Sequence, residues 1–494
     1  MQFQSRLTAS GLSGSQGQWG NFGCSAPCLG ARDRQGTQTV VPSGKPAECR
    51  GKSIDGVKPI ETSALIWPKI GLVSFTHIRK DCSKSVACRQ GRVGIPIPWR
   101  NLSRRERHLL EGAFWMYGSS RQGLATLLGL SRSKTNGLIA ELVAQGLVEE
   151  TGQRPSTGGR RPQALRLHPD LGLVAGIDIG AKGMDIALLK PDMSVVTRHR
   201  EATDVREGPG AVLSRVRTNL TALLRQHGGD GSLLAIGMGV PGPVNFATGQ
   251  LVTPPLMPNW DSFSIRDYMR DFTAAPCYID NDANVMALGV LWRLRRQHRN
   301  FLVIKVGTGI GCGIVCSGEI YRGHTGSAGD VGHISVDENG PLCTCGNRGC
   351  VEAMAGGPAI AELAHEAVRR GESPFLKAWM ERHGEIGAEA LREASRAGDP
   401  TADRIIIRAG GLVGQMLASV VNFFNPSHVF VGGSMANLGP LFLAAIRQRV
   451  NLRSTALSAR HLEVAPLPFV SDAGTIGAGV LAVRESLRDG ETMQ

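Results

Sequence analysis

One imidazole and three thiols lie within 18 residues: His333, Cys343, Cys345 and Cys350. The backbone between the last two thiols, Gly346-Asn347-Arg348-Gly349, is rich in turn formers. Thiolates and a neutral imidazole are preferred zinc ligands, and four protein ligands close a tetrahedral Cys₃His site. A closed site leaves no open position for catalysis, so the expected zinc is structural. Reduced core thiols are the alternative; the tight spacing with glycines favours metal. Asp330, in Gly329-Asp330-Val331-Gly332-His333, and Glu352 flank the knuckle. Two carboxylates and an imidazole beside a rigid loop suit a small polar ligand, although Glu352 alone would read as a surface carboxylate.

The elements that must hold this constellation come from a chain of 494 residues, enough for about three domains. Its 55 basic and 42 acidic residues give a net charge of +13. The excess is confined to the front. Residues 1–100 carry 14 Lys/Arg against 5 Asp/Glu, residues 101–170 carry 10 against 6, and residues 171–494 carry 31 of each. A basic front on a neutral body implies that the front meets a polyanion, a solvated basic tail being the plainer alternative. Eleven cysteines do not make a disulfide scaffold and point to a reducing compartment. No uncharged apolar run of about 18 residues is present, and Met1–Gly20 lacks an apolar signal core. A cytoplasmic protein without a membrane span is expected.

Residues 1–98 are rich in Gly, Ser, Gln, Pro and Arg, with short apolar runs. A disordered basic extension is expected there; a true start downstream is the other possibility. Residues 101–150 read as three short helices. Ser103-Arg104-Arg105-Glu106 is a capping box. Ser120 caps Arg121–Leu128, which Gly129 ends, and Ser131 caps a third helix running to about Gln145. Ala125 and Gly129 have helix-turn-helix spacing. Two strand-like segments then flank the Gly/Arg-rich stretch Thr151–Pro162, which has the character of a wing. A winged helix-turn-helix over residues 99–168 is expected. Arg132, Ser133, Lys134, Asn136 and Gly137 then fall on the early turns of the recognition helix. There Arg132, Ser133, Lys134 and Asn136 would meet double-stranded DNA. Arg154, Arg160 and Arg161 would follow the backbone or enter a minor groove.

After residue 170 strands and helices alternate. Leu173–Ile179 and Ile186–Leu189 read as strands, Pro209–His227 as a helix, and Leu233–Val240 as a buried strand. A second series starts at Phe301–Val306 and turns at Gly307-Thr308-Gly309-Ile310-Gly311. A long helix, Thr401–Phe424, ends at Asn425-Pro426 before the strand His428–Val431. Two α/β halves with glycine turns after their first strands imply two sheet domains around one cleft. Trp260 suits either the cleft or the core.

From about residue 103 to 485 the chain resembles the ROK family (repressors, open reading frames and sugar kinases). The matching motifs are Gly176-Ile177-Asp178-Ile179-Gly180, Gly239-Val240-Pro241-Gly242-Pro243-Val244, Asn281-Asp282-Ala283-Asn284, Gly307-Thr308-Gly309-Ile310-Gly311, Gly329-Asp330-Val331-Gly332-His333 and the cysteine knuckle ending in Glu352. The resemblance implies an actin-like ATPase (sugar kinase) fold, with an N-lobe over 169–300, a C-lobe over 301–494 and a sugar between them. It implies that Asn281, Asp282, Asp330, His333 and Glu352 contact the sugar. Carboxylates accept from vicinal hydroxyls, and Asn and His complement them. In the family's kinases the residue at Asp282 is the general base; alone, Asp282 reads equally as a helix cap. His333 has one ring nitrogen for metal and one for ligand. Asp178, Gly180, Gly307, Thr308, Gly309 and Gly311 would face a nucleotide.

Departures from the family pattern bear on function. Kinases of the family usually carry Asp-x-Gly-Gly-Thr-Lys at the first phosphate turn; here it reads Asp178-Ile179-Gly180-Ala181-Lys182-Gly183. The usual Glu before Gly-His is Asp330. The second turn and Asp282 are intact. The expectation is a sugar-responsive repressor: a homodimer or homotetramer on a palindromic operator, answering to a sugar or sugar phosphate. An ATP-dependent sugar kinase, needing ATP and Mg²⁺, is the rival.

Overall fold

The computed structural model describes residues 97–115, 120–153, 163–227, 233–469 and 471–489. The expected extension therefore lies outside the described residues except for Ile97 and Pro98. So do Arg154, Arg160 and Arg161.

The front of the described chain is three helices and a hairpin. The capping box forms: the Ser103 N–H donates to the Glu106 carboxylate at 2.7 Å, and the Glu106 N–H donates to Ser103 Oγ at 3.4 Å. It opens α1 (Arg104–Trp115). The Gly123 N–H donates to Ser120 Oγ at 3.1 Å, opening α2 (Arg121–Leu128), which Gly129 closes at φ 62°. Ser131 caps α3 (Arg132–Ala144). Helix α3 buries Thr135, Ile139 and Leu142 and leaves Arg132, Ser133, Lys134 and Asn136 exposed. Antiparallel strands β1 (Val148–Gln153) and β2 (Gln163–Leu167) follow, with Val148 opposite Leu167. An Arg121–Glu150 ion pair of 2.7 Å ties α2 to the hairpin.

The first lobe holds β3 (Leu173–Gly180), β4 (Gly183–Leu189), β5 (Val195–Ala202), α4 (Pro209–Gln226) and β6 (Leu233–Val240). A small hairpin, β7 (Val244–Asn245) and β8 (Gln250–Leu251), and the short α5 (Ile265–Arg270) precede β9 (Cys277–Asn281). The sheet order is β5-β4-β3-β6-β9. Trp260 is fully buried in this lobe's core and donates its indole N–H to the Val205 carbonyl at 2.8 Å. It is a core residue, not a cleft residue.

Helix α6 (Asp282–Arg293) leads to the second lobe. Its strands are β10 (Phe301–Val306), β11 (Ile310–Cys316) and β12 (Glu319–Ile320). Helices α7 (Val351–Ala355), α8 (Gly357–Arg369), α9 (Pro374–His383), α10 (Ala388–Arg396) and α11 (Pro400–Phe424) come next. The chain closes with β13 (His428–Gly432), α12 (Pro440–Arg453), α13 (Ala456–Ala459), β14 (Glu463–Pro466) and α14 (Ala473–Arg488). The order β12-β11-β10-β13-β14 repeats that of the first sheet: a central strand, two antiparallel strands on one side and two parallel strands on the other. This is the α/β, actin-like architecture. Helix α11 has the length and hydropathy of a membrane span, yet more than half of that window is buried. It packs on α12 through Gly410 and Gly414.

One expected boundary does not hold. The C-lobe was expected to own residues 301–494, but α14 lies on the first-lobe sheet. A Cβ at Gly176 would meet the Thr475 carbonyl oxygen at 2.1 Å, and one at Gly237 would meet that of Ala478 at 1.8 Å. Two adjacent strands thus carry glycine where the helix backbone presses on them. The chain returns to its first lobe, and α14 lies against α6 through Gly289 and Gly477.

Candidate functional site

The glycine turns and the loop before the knuckle converge on one cleft of about 530 Å³. Its walls include Gly180, Asn281, Asp282, Gly307, Thr308, Gly309, Gly311, Asp330, His333, Cys345 and Glu352. Asp178 is the exception among the expected cleft residues. It lines an adjacent recess with Asp185 and Arg200, and its Oδ1 is buried without a hydrogen-bond partner.

Each carboxylate is set by its own element. Asp282 opens α6, capped by Asn281, whose Oδ1 accepts from the Ala283 N–H at 3.0 Å. Asn281 also donates to the Gly242 carbonyl at 3.1 Å, so much of its amide is already engaged in holding this corner. Glu352 Oε2 accepts from the Ile310 N–H at 2.8 Å, joining the knuckle to the second glycine turn. Asp330 sits on a loop laid against β11. Gly329 has φ 107°, and a Cβ there would come within 1.9 Å of the Cys312 carbonyl oxygen. Only glycine fits that close, left-handed approach. Burial holds Asp330 above the usual carboxylate range despite the nearby His333.

The knuckle brings its four ligand atoms within 4.8 Å of one another. His333 Nδ1 is 3.6 Å from Cys343 Sγ, and Cys345 Sγ is 3.7 Å from Cys350 Sγ. A tetrahedron with metal–sulfur bonds of about 2.3 Å has edges of about 3.8 Å. The set therefore fits a tetrahedral metal ion, with His333 ligating through Nδ1 and the rest of its ring on the cleft wall. The Asn347 backbone N–H is the main cause holding the Cys345 thiol below its ordinary value. Without metal, burial beside the other sulfurs pushes Cys350 up to about 12; a bound cation reverses that preference.

Two charged groups were not singled out in the sequence. Lys305, next to last in β10, places Nζ 2.6 Å from Asp282 Oδ2. Burial alone would lower its pKa, but Asp282 and Asp178 outweigh that and hold it above the ordinary value. Burial raises Asp178, with Lys305 opposing. Asp280, one position before Asn281, is buried and pairs with Arg322 at 2.6 Å.

The far end of α6 meets the front of the chain. Trp292 stacks on Phe114 of α1, ring centroids 4.3 Å apart, and Trp115 lies 5.9 Å away. Arg488 of α14 pairs with Glu111 of α1. The buried residues of α1, α2 and α3 form one continuous apolar cluster with those of α6 and α14. The exposed set Arg132, Ser133, Lys134 and Asn136 is on α3 and takes no part in the cleft.

The ROK family profile matches residues 174–485 of this chain. The chain belongs to the ROK family. A xylose repressor of Caldicellulosiruptor bescii is 29% identical over 371 residues, 74% of this chain and 92% of the relative. A glucokinase of Halalkalibacterium halodurans is 30% identical over 313 residues, 63% of this chain and 94% of its own. The crystal structure of a ROK family transcriptional regulator, a homolog of the E. coli MLC protein, superposes with a TM-score of 0.66 at 24% identity. It covers 79% of this chain and 97% of that one. A ROK family glucokinase from Streptomyces griseus, in complex with glucose and AMPPNP, gives 0.56 at 27% identity, covering 63% of this chain and all of that one. Both share the two-lobed ROK architecture.

Against the needs of a phosphoryl-transferring ROK protein, this cleft fits in part. The turn Gly307–Gly311 offers backbone N–H groups. Magnesium with a nucleotide does not fit the carboxylates: Asp282 is already paired to the Lys305 ammonium, whose charge also acts on Asp178.

Proposed function

We propose that this chain is a sugar-responsive, DNA-binding transcriptional repressor of genes for carbohydrate uptake or metabolism, acting in the cytoplasm. The observation that carries this reading is the course of α6. The helix has the cleft carboxylate Asp282 in its first turn and the docking ring Trp292 in its last. Whatever the cleft binds is therefore one helix away from the three-helix front.

In this reading residues 99–168 are a winged helix-turn-helix. Helix α3 enters the major groove, with Arg132, Ser133, Lys134 and Asn136 free to reach bases and phosphates. Arg154, Arg160 and Arg161 extend the contact. The body assembles as a homodimer or homotetramer, which spaces two such units for a palindromic operator. Zinc fills the His333, Cys343, Cys345 and Cys350 set and braces the loop carrying Asp330, His333 and Glu352. A sugar or sugar phosphate enters the cleft, with its hydroxyls donating to Asp282, Asp330 and Glu352 and accepting from Asn281. Its different affinity for the two lobe arrangements shifts the winged units out of register. Such coupling is typically worth about 1–3 kcal/mol, or roughly 5–150-fold in affinity. Xylose and glucose, the sugars in the relatives' names, are the first effectors to try. Full-length protein titrated on its own upstream DNA at low salt, with and without each sugar, tests the reading; absence of salt-sensitive binding removes it.

A second reading, an ATP-dependent sugar kinase with an appended DNA-binding unit, has the intact turn Gly307–Gly311 and Asp282 in its favour. Here Asp282 would take the proton of the attacking hydroxyl. Turnover near 10 s⁻¹, a typical enzyme rate, in a coupled ADP-release assay over a sugar panel would establish it.

A further inference from the structure

Lysine inside a central strand is out of place. Phe301, Leu302, Val303, Ile304 and Val306 of β10 are all fully buried. Lys305, next to last in that strand, keeps a fifth of its side chain exposed. An ammonium at that depth is tolerated only with a partner. It has Asp282 Oδ2 at 2.6 Å and lies close enough to Asp178 to oppose the desolvation of that carboxylate. Asp178 Oδ1 is buried and has no hydrogen-bond donor. The three residues come from three elements, β3, α6 and β10, and from both lobes. Asp282 and Lys305 line the cleft, and Asp178 lines the recess beside it. Two carboxylates close enough for one to raise the other ordinarily call for a divalent cation. Here a side chain supplies the positive charge.

We propose that Lys305 is a resident cation which takes the place of a divalent metal between Asp178 and Asp282, making the cleft a metal-independent receptor. The inference rests on the reading of the cleft as a sugar-sensing site and specifies how that site differs from a phosphoryl-transfer site. Like-charge repulsion from the ammonium excludes Mg²⁺ and the metal-bound phosphates that travel with it. One oxygen of Asp282 is occupied by Lys305, and the second is left for a ligand hydroxyl. Lys305 itself lines the cleft, so its ammonium can donate to a ligand there. Ligand binding is therefore independent of Mg²⁺, and the Lys305–Asp282 pair joins β10 to α6.

Manganese(II) titration tests this, followed by electron paramagnetic resonance on full-length protein with its knuckle loaded with zinc. Wild type, Lys305→Met, Lys305→Arg and the double variant Lys305→Met/Asp282→Asn are compared at neutral pH. The wild type and Lys305→Arg are expected to show no Mn²⁺ site in the cleft. Lys305→Met, with two carboxylates uncompensated, is expected to gain one site at least tenfold tighter than any wild-type binding. The double variant is expected to lose it again. A Mn²⁺ site in the wild type that Asp282→Asn abolishes overturns the proposal, as does folded Lys305→Met without any gain. If Lys305→Met does not fold, the wild-type and Lys305→Arg titrations still decide. The same proteins on operator DNA separate this proposal from the regulator reading. Metal exclusion without any DNA binding removes the regulator and keeps the resident cation; a wild-type metal site with normal DNA binding does the reverse.

Discussion

Phe114 and Trp292 stack at 4.3 Å, at the opposite end of α6 from the carboxylate of Asp282. A helix of 12 residues is about 18 Å long. In the proposed regulator, a shift of its first turn in the cleft would reach α1 through this aromatic pair. Stacked rings contribute about 0.5–1.5 kcal/mol beyond their buried area, enough to bias a switch of about 1 kcal/mol. Trp292→Ala removes the contact and is expected to cost about 3 kcal/mol of stability or more. Its sugar-binding midpoint should stay within about twofold of wild type, a change under 0.5 kcal/mol. Release of DNA by sugar should be lost. Melting curves and anisotropy titrations on one preparation check all three.

The exposed turn of α3 gives a second expectation. Lys134→Ala and Arg132→Ala each lose at most one phosphate or base contact. Neither side chain is buried, so melting should be unchanged. DNA affinity should fall, and the slope of log affinity against log salt should drop by about one for each phosphate contact removed. An unchanged slope for both would place the DNA surface elsewhere.

Cys345→Ser should release the knuckle. Its Sγ lies 3.7 Å from Cys350 Sγ, and structural metal sites are held by all four ligands at once. Metal analysis should fall from one zinc per chain to well below that. The sugar response should weaken, because Glu352 hangs from the same loop while its Oε2 accepts from the Ile310 N–H. Chelator applied to the wild type should do the same, more readily at low pH, where protons compete for the thiolates. A variant that keeps both zinc and full response would show that the knuckle does not brace the sensor.

Gly237→Ala tests the return of the last helix. The new methyl would stand 1.8 Å from the Ala478 carbonyl oxygen, where backbone must move. A loss of about 3 kcal/mol is expected, at the upper end for overpacking. Gly137→Ala, where nothing lies within 4 Å, should be neutral or slightly stabilising. Paired thermal melts give the comparison.

Much of this was legible before any coordinates. Caps at Ser103, Ser120 and Ser131 are local chemistry, and all three form. The knuckle is local too, because its ligands sit within 18 residues. What escaped was long-range. Asp282 and Lys305 are 23 residues apart and meet only when α6 and β10 pack. Their signal was nonetheless present, as the one charged residue in Phe301–Val306, a run otherwise fit for a fully buried strand. Gly176 and Gly237 fall inside segments read simply as strands, yet they mark the landing place of α14, some 240–300 residues later in the chain. Trp292 gave no signal at all, since an aromatic at a helix end is equally a core residue. Asp280, masked by its neighbours Asn281 and Asp282, is the buried anchor of the corner.

The most direct measurement of the central claim is fluorescence anisotropy of full-length protein on its own upstream DNA, with neutral sugars added in the presence of EDTA-free and then Mg²⁺-containing buffer. Tight, salt-sensitive binding is expected. One sugar should weaken it by about 5–150-fold, equally with and without Mg²⁺. Binding that no sugar alters, or that responds only when Mg²⁺ and ATP are both present, contradicts a Mg²⁺-independent sugar sensor.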